Sequence, residues 1–427
     1  KNLREGNIYY RILYSGDKKS SVYKIKIKNP SKEFKFMILT DSQGMVKTDY
    51  EVFSNMLENA VKREKNTDFM IHLGDFVDDG NNEEYWKWVL KSRAWKENAA
   101  VVLSGNHEAR INAKADKAGV DGAVCGHFNL CNLPFQDTKF GAYYSFVYGD
   151  ATFIVLNTNT GIEGELDKKQ YKWALSVAKN AKTKWKILCA HKSPYSNGPH
   201  HKDYDVKKIG RQINDLAYYG EIDVVFGGHD HVYVRTPFLI EGTPEKRDSI
   251  SKKLKDINEN KFINPKGTVF VVPSTSGVKN YGGGIVPDFP ICKSLNVANP
   301  VYSTVKINDE GFFFSSYEFN IKDSGFKEID SFSIFKDSKF ENQADGKTVS
   351  SYIDSIPDIP GIDNDKIINK IKSMYEKLEY SEKLKVKNYD KFLNAVRKNE
   401  SYKNIQNMDI RVVRSRHEFM SALKEPT

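Results

Sequence analysis

Cysteine is scarce, with four in 427 residues. That is too few to staple a fold, so a packed core must hold the chain. Cys189 lies inside an apolar run and reads as a buried free thiol, while Cys125 and Cys131 share one loop where they could pair. Long apolar runs are missing as well: none reaches the roughly 20 residues needed to cross a bilayer, and no secretory signal is visible. Because it begins at Lys1 instead of Met, the chain reads as a processed or trimmed product. Charge of one sign is also in short supply. Of the net +9, residues 361–427 supply an excess from fifteen Lys/Arg against ten Asp/Glu, which leaves the remainder at +4. So weak a balance suits a solvated Lys-rich surface and is too little to argue for nucleic acid, so no specific nucleic-acid binding is expected. What remains is a globular composition, 39% hydrophobic and 12% aromatic, over a length that suits two or three domains.

The apolar runs that do occur are short, and each stops at a chemically useful residue. FKFMILT ends on Asp41, FMIHLG on Asp75, AAVVLSG on Asn106 and His107, KWKILCA on His191, and DVVFGG on His229 and His231; FIVLN leads into the loop after Asn157. Continuous Ile, Val, Leu and Phe suit strands buried on both faces, and ligands of α/β sheets gather where such strands end. One Asp or Asn after a strand is most simply a turn or cap residue. Five such clusters in sequence are hard to explain that way.

Residues 7–28 alternate apolar and polar around Ser15, Gly16 and Asp17, which predicts a β-hairpin. Residues 1–33 are too short for a domain and read as the remnant of an N-terminal β-sandwich. From Phe34 the pattern becomes strand, loop, helix. Thr48 and Glu51 fit a capping box before a helical face of Val52, Phe53, Met56, Leu57, Ala60 and Val61, and EEYWKWVLKSR and LDKKQYKWALSVAKNA repeat the alternation. This predicts a layered α/β domain over residues 34–336. Its last part, GTVFVVPS, VYSTVKIN, GFFFSSYEFNI and DSFSIFK, reads as antiparallel strands that close the domain. Residues 337–363, with Pro357 and Pro360, read as a linker. Residues 364–402 predict a helical hairpin with faces Ile367, Ile371, Met374, Tyr375, Leu378 and then Val386, Tyr389, Leu393, Val396. Residues 403–427 are a tail or the start of a further module.

Two cations roughly 3.5–4 Å apart need a shared carboxylate, with oxygen and imidazole as the other donors if the metals are Fe, Zn or Mn. Asp75, in the turn GDFVDDG, is the natural bridge; Asn106 offers an amide oxygen, and His229 and His231 can reach different ions. The order DSQG, GDFVD, GNHE, HKSPYSNGPHH, GHDH resembles the calcineurin-like metallophosphoesterases and, within them, the purple acid phosphatases. The resemblance extends over about Phe34 to Lys336. It implies a two-sheet sandwich flanked by helices, with one ion held by Asp41, Asp75 and His231 and a second by Asp75, Asn106, His191 and His229. It also implies that His107, His200 and His201 bind phosphate and protonate the leaving group, the proton coming from His201 or His200. The activity implied is phosphoester hydrolysis by a hydroxide held on the metal pair, with phosphomonoesters as substrates. Phosphodiesterase or nucleotidase action is the alternative, and a surface adhesion protein with a decayed site is a third reading.

Two positions depart from the family. Its chromophoric tyrosine lies three residues after the bridging aspartate, where this chain has Asp78; many relatives also place a histidine where this chain has Gln43. Tyr195 and Asn197 are candidates for the pocket wall, Tyr281 for its rim, and His72 for a strand position. The segment 381–398 resembles the short helical modules strung along Gram-positive surface proteins. That implies an extracellular or cell-surface location, with partner contacts through the C-terminal helices. The partner otherwise expected is a phosphorylated small molecule, with no membrane span.

Overall fold

The computed structural model describes residues 5–109, 143–159, 164–239, 260–336, 346–356 and 364–406, apart from residues 15, 17, 266, 283–288, 290, 377 and 379–382. Cys125, Cys131 and the end of the chain after residue 406 lie outside the described residues. The chain divides into two units, Lys1–Lys336 and Asp337–Thr427.

In the first unit, β1 (Gly6–Tyr10) and β2 (Tyr23–Ile27) pair antiparallel as the alternation predicts. They lie against the short helix Arg93–Glu97, to which Tyr10 Oη donates at the Lys96 carbonyl (2.6 Å). The apolar runs then build two seven-stranded sheets. In the first, β3 (Phe34–Leu39), β4 (Phe69–His72) and β5 (Ala100–Val102) run parallel, and the sheet continues from β3 through strands Val301–Ile307, Phe312–Phe319 and Phe326–Phe335 to the short Lys261–Ile263. In the second, β6 (Tyr144–Tyr148) pairs antiparallel with β7 (Ala151–Val155). Then β7, β8 (Trp185–Lys192), β9 (Val224–Gly228) and Val269–Pro273 run parallel, and β10 (Tyr233–Arg235) and Lys293–Leu295 complete the edge. The segment GTVFVVPS is therefore an interior strand, antiparallel to β10 on one side, as expected, but parallel to β9 on the other. Being buried on both faces, it lacks the alternation that would have marked it.

The period of two along each strand sorts the core into layers. Phe36, Ile38, Phe69 and Ile71 of one sheet meet Phe153, Ile187, Phe226 and Val271 of the other. Truncating a buried Phe here would cost about 3–5 kcal/mol. The outward residues Met37, Leu39 and Met70 receive α1 (Lys47–Arg63) through Tyr50, Phe53, Met56, Leu57 and Ala60. Helices Lys168–Asn180 and Tyr204–Gly220 cover the other outer face over Ile154, Leu188 and Val225. The result is helix, sheet, sheet, helix. A buried ion pair ties the sheets: Arg235 donates to Asp330 from Nε (2.7 Å) and Nη2 (3.1 Å), and Tyr233 Oη donates to the same carboxylate (2.7 Å). Removing one partner of such a pair costs about 3–5 kcal/mol.

Helix α1 starts earlier than the proposed capping box. The Asp49 carboxylate, not Glu51, reaches back to accept from the Met45 and Val46 N–H groups (2.8 and 3.1 Å). In the second unit, residues read as linker contain the helix Gly346–Asp354, which packs with Asn364–Glu376 and Tyr389–Gln406 around Val349, Ile353, Ile368, Ile371, Val386 and Phe392. Among the described residues, two helices stand over 364–406, where a hairpin was expected, and a third stands in the residues read as linker; Phe392, not Leu393, faces that core, and Leu393 is exposed.

Candidate metal centre

The parallel strands of both sheets end at one place. Asp41 follows β3, Asp75 follows β4, Asn106 and His107 follow β5, His191 is the next-to-last residue of β8, and His229 and His231 follow β9. Four of these residues take positive φ: Asp41 at 50°, Asp75 at 55°, His229 at 77° and His231 at 43°, joined by Ser274 at 68°. A non-glycine residue in that region costs about 1–3 kcal/mol, so the surroundings must enforce it. They do so through the backbone. Asp41 N donates to Gly74 O (3.0 Å), and His229 N donates to both carboxylate oxygens of Asp41 (3.2 and 3.0 Å). Close approach requires glycine at two of the turns. A Cβ on Gly74 would stand 2.8 Å from His191 Nδ1, and one on Gly105 would overlap Asp75 Oδ1.

All six residues expected to bind metal are brought together. Donor atoms of Asp41, Asp75 and His231 lie within 4.8 Å of one another, as do those of Asp75, His191 and His229, so Asp75 is common to both sets. Asn106 Oδ1 stands 3.1 Å from His191 Nε2. The histidines are aimed from behind: Nδ1 of His191 meets Leu73 O (2.8 Å), that of His231 meets Lys279 O (2.5 Å) and that of His107 meets Asp78 O (2.5 Å). Each ring therefore turns Nε2 toward the carboxylates, at 3.2 Å for His191 to Asp75 and for His231 to Asp41. Oxygen and imidazole donors in two sets with a shared carboxylate fit a pair of Fe, Zn or Mn ions.

The charges respond to this crowding. Burial opposes charge on His191, but the adjacent Asp75 carboxylate outweighs it and raises the ring to about 9. Burial also pushes the Asp75 carboxyl upward, and His191 and His107 together hold it well below the usual range. At His229 burial and the neighbouring His191 outweigh the pull of Asp75 and keep the ring well below the usual imidazole range. A ring kept neutral offers its nitrogen lone pair, the form in which histidine ligates a cation.

Of the remaining candidates, His107 is buried, with Nε2 3.8 Å from Asp75 Oδ2 and 3.2 Å from Gln43 Nε2. Gln43 is fully buried and so hydrogen-bonds into the site. Asp78 pairs with Lys279 Nζ at 3.3 Å. His200 and His201 sit on a 3₁₀ turn, Pro199–Lys202, with the His200 ring 4.8 Å from that of His229. Tyr281 stacks on His231 at 4.4 Å. Tyr195 does not line the pocket: it is buried against Phe270 and Phe289, and Asn197 donates to Ser294 Oγ (2.8 Å). His72 stacks on Phe76 at 3.6 Å and meets Ser42 Oγ at 3.0 Å; burial lowers it to about 3, so it stays neutral.

Two contributors were not read from the sequence. Glu108 is fully buried and accepts from the N–H groups of Asp75, Phe76 and Gly105, each at 2.8 Å, which binds the β4 and β5 turns to each other. Burial raises its carboxyl to about 8. The stretch after Pro273 is the other. Thr275 Oγ1 donates to Asp41 O (2.6 Å), Ser276 N to Thr40 O (2.7 Å) and Gly277 N to Asp41 O (3.2 Å). The GNHE motif carries the signal for Glu108; a Ser/Thr-rich stretch such as PSTSG has none beyond turn composition.

Residues 34–233 match the family model of the calcineurin-like phosphoesterases. Among curated proteins, the chain is 32% identical over 247 residues to purple acid phosphatase 21 of Arabidopsis thaliana, covering 53% of this chain and 49% of that protein. It is 23% identical over 250 residues to acid phosphatase type 7 of Danio rerio, covering 52% and 51%. The chain thus spans about half the length of these curated relatives. The solved structure of purple acid phosphatase PPD1 from yellow lupin (Lupinus luteus) seeds shares the fold, with a TM-score of 0.61 at 16% identity over 78% of this chain and 59% of that one. Strand-end donors, two-sheet sandwich and the match of residues 34–233 agree: the chain is similar to the calcineurin-like phosphoesterases and, among curated proteins, to the purple acid phosphatases.

Proposed function

We propose that this chain is a metal-dependent hydrolase of phosphoesters, acting on the monoesters of small molecules. The observation that carries the reading is the pair of donor sets sharing Asp75. In it, Asp41, Asp75 and His231 hold one ion, and Asp75, Asn106, His191 and His229 hold the other. Such a pair of ions, Fe, Zn or Mn, supplies positive charge at the phosphoryl group and acidifies water. The chain's residues do the rest. The backbone carbonyls behind His107, His191 and His231 fix which ring nitrogen faces the substrate. His107 Nε2, close to Asp75, takes a phosphoryl oxygen. The histidines of the 3₁₀ turn stand on the leaving-group side, where a protonated ring can give its proton to the departing oxygen. An extracellular or surface location remains part of the proposal and rests on the resemblance of residues 381–398 to helical surface modules, which also makes the second unit the candidate for partner contacts. The test is metal analysis of the purified chain together with hydrolysis of a phosphomonoester and a phosphodiester. Two ions per chain and a preference for the monoester are expected. A diester preference selects the phosphodiesterase alternative, and two bound ions with neither ester cleaved overturns the enzyme reading.

A further inference from the structure

Helix Tyr204–Gly220 has Asp203 at its N-cap, where an aspartate ordinarily accepts from a first-turn N–H, a contact worth about 0.5–2 kcal/mol. The Asp203 side chain makes no capping bond. Its Oδ2 instead accepts from His200 Nδ1 at 2.8 Å. The adjacent His201 is held differently, its Nδ1 donating to the Gly198 carbonyl at 2.8 Å. Both rings are oriented, and among the described residues only His200 has a carboxylate behind it. The His200 backbone is fixed as well: its N–H donates to Asp230 Oδ1 (2.9 Å), on the buried residue between His229 and His231. With Nδ1 committed to Asp203, Nε2 is the nitrogen left for the substrate, on a ring that lies 4.8 Å from that of His229 and 5.6 Å from that of Tyr281.

We propose that Asp203 is a positioning residue for His200, and that His200, rather than His201, protonates the leaving oxygen. This rests on the phosphoester-hydrolase reading and deepens it. In the step, the bond from phosphorus to the ester oxygen breaks and a bond from phosphorus to a water oxygen forms. The His200 Nε2 proton goes to the departing oxygen, giving the alcohol, and the proton shed by the water restores the ring. The Asp203 carboxylate keeps the imidazolium facing the ester and compensates its charge. His201, with the Gly198 carbonyl and not a carboxylate behind it among the described residues, is left to bind phosphate.

The experiment uses the metal-loaded full chain and compares an alkyl phosphate with a nitrophenyl phosphate, whose phenolate leaves without help. His200→Ala is expected to lower kcat on the alkyl ester about 10²–10⁴-fold and on the aryl ester far less. Asp203→Ala should show the same selectivity at about 10–100-fold, with KM nearly unchanged. Combined with His200→Ala it should add nothing, because it acts through that ring. Asp203→Asn, which keeps an acceptor for Nδ1 but not the charge, should fall between and serves if the alanine variant folds poorly. His201→Ala should weaken both esters alike. Selective loss in His201→Ala, or equal loss on both esters in Asp203→Ala, overturns the assignment. So does loss of a bound ion in Asp203→Asn, since donor atoms of His200, Asp203 and His229 also lie within 4.8 Å of one another and that result would make Asp203 a metal ligand. An unmodified chain that binds two ions and cleaves neither ester instead overturns the hydrolase reading, and this assignment with it.

Discussion

The donor cluster and the 3₁₀ turn beside it are held by different means. Asp41, Asp75, His191 and His231 are buried to within about 1% of full enclosure, and three of them sit at positive φ under backbone hydrogen bonds. The turn is half open: the side chains of His200 and Asp203 are 36% and 49% exposed, and ordinary backbone carries them. Geometry imposed through the backbone is stiff and leaves the side chains no alternative rotamer, as a metal pair demands. A side-chain pair at the surface can shift by a rotamer, as leaving groups of different size demand. Each region should accordingly fail in its own way when disturbed.

The largest effect is expected at the ligand shared by both donor sets. Asp75→Asn keeps the shape but removes the charge that His191 and His107 surround. Activity should fall more than about 100-fold, beyond what loss of an outer partner costs, and bound metal should drop below two per chain. Near-native turnover with two ions retained would remove Asp75 from the bridging role. Gly105→Ala tests the backbone argument without replacing a donor residue. The added methyl overlaps Asp75 Oδ1 and N. A loss of about 1–3 kcal/mol in stability is expected, with weakened metal binding, because the two turns must separate. Unaltered metal affinity, measured by titration, would mean that the turns are softer than their hydrogen bonds suggest.

Those buried donors were legible in the sequence because an apolar run gives the strand and the residue after it gives the site. What lies between donors was not. Glu108 and Thr275 act by accepting or donating at backbone groups that only the fold brings near, and in sequence they read as turn residues. Asp203 was hidden for the same reason, since Asp before a helix is ordinarily a cap. The mixed pairing of strand Val269–Pro273, antiparallel to one neighbour and parallel to the other, was not legible because a strand buried on both faces carries no register signal. The helix Gly346–Asp354 was taken for linker because Pro357 and Pro360 follow it; Val349 and Ile353, four apart, were the signal for it.

A spectroscopic measurement sharpens the contrast at the border of the two regions. Asp78 stands where the resembling family has its chromophoric tyrosine, and it is paired with Lys279. The chain loaded with iron should lack a strong visible charge-transfer band. A purple sample would point to Tyr281, whose ring lies on His231, as the phenolate donor.

The smallest effect is expected from Lys279→Met. The Lys279–Asp78 pair links the turn after β4 to the stretch after Pro273, and its side chains are 33% and 22% exposed. Pairs with that much water around them contribute about 0.2–1 kcal/mol. The contact that aims His231 comes from the Lys279 carbonyl, which the substitution leaves in place. Thermal unfolding should therefore shift only slightly, metal stoichiometry should stay at two, and turnover should change by less than the variants above. If Lys279→Met instead released metal, the donors would depend on a half-exposed side chain, and the division between a stiff buried cluster and an adjustable surface turn would be drawn in the wrong place. Reversing the pair, Asp78→Lys with Lys279→Asp, would then be expected to restore the metal, since the two charges would have been acting on each other and not on the ions.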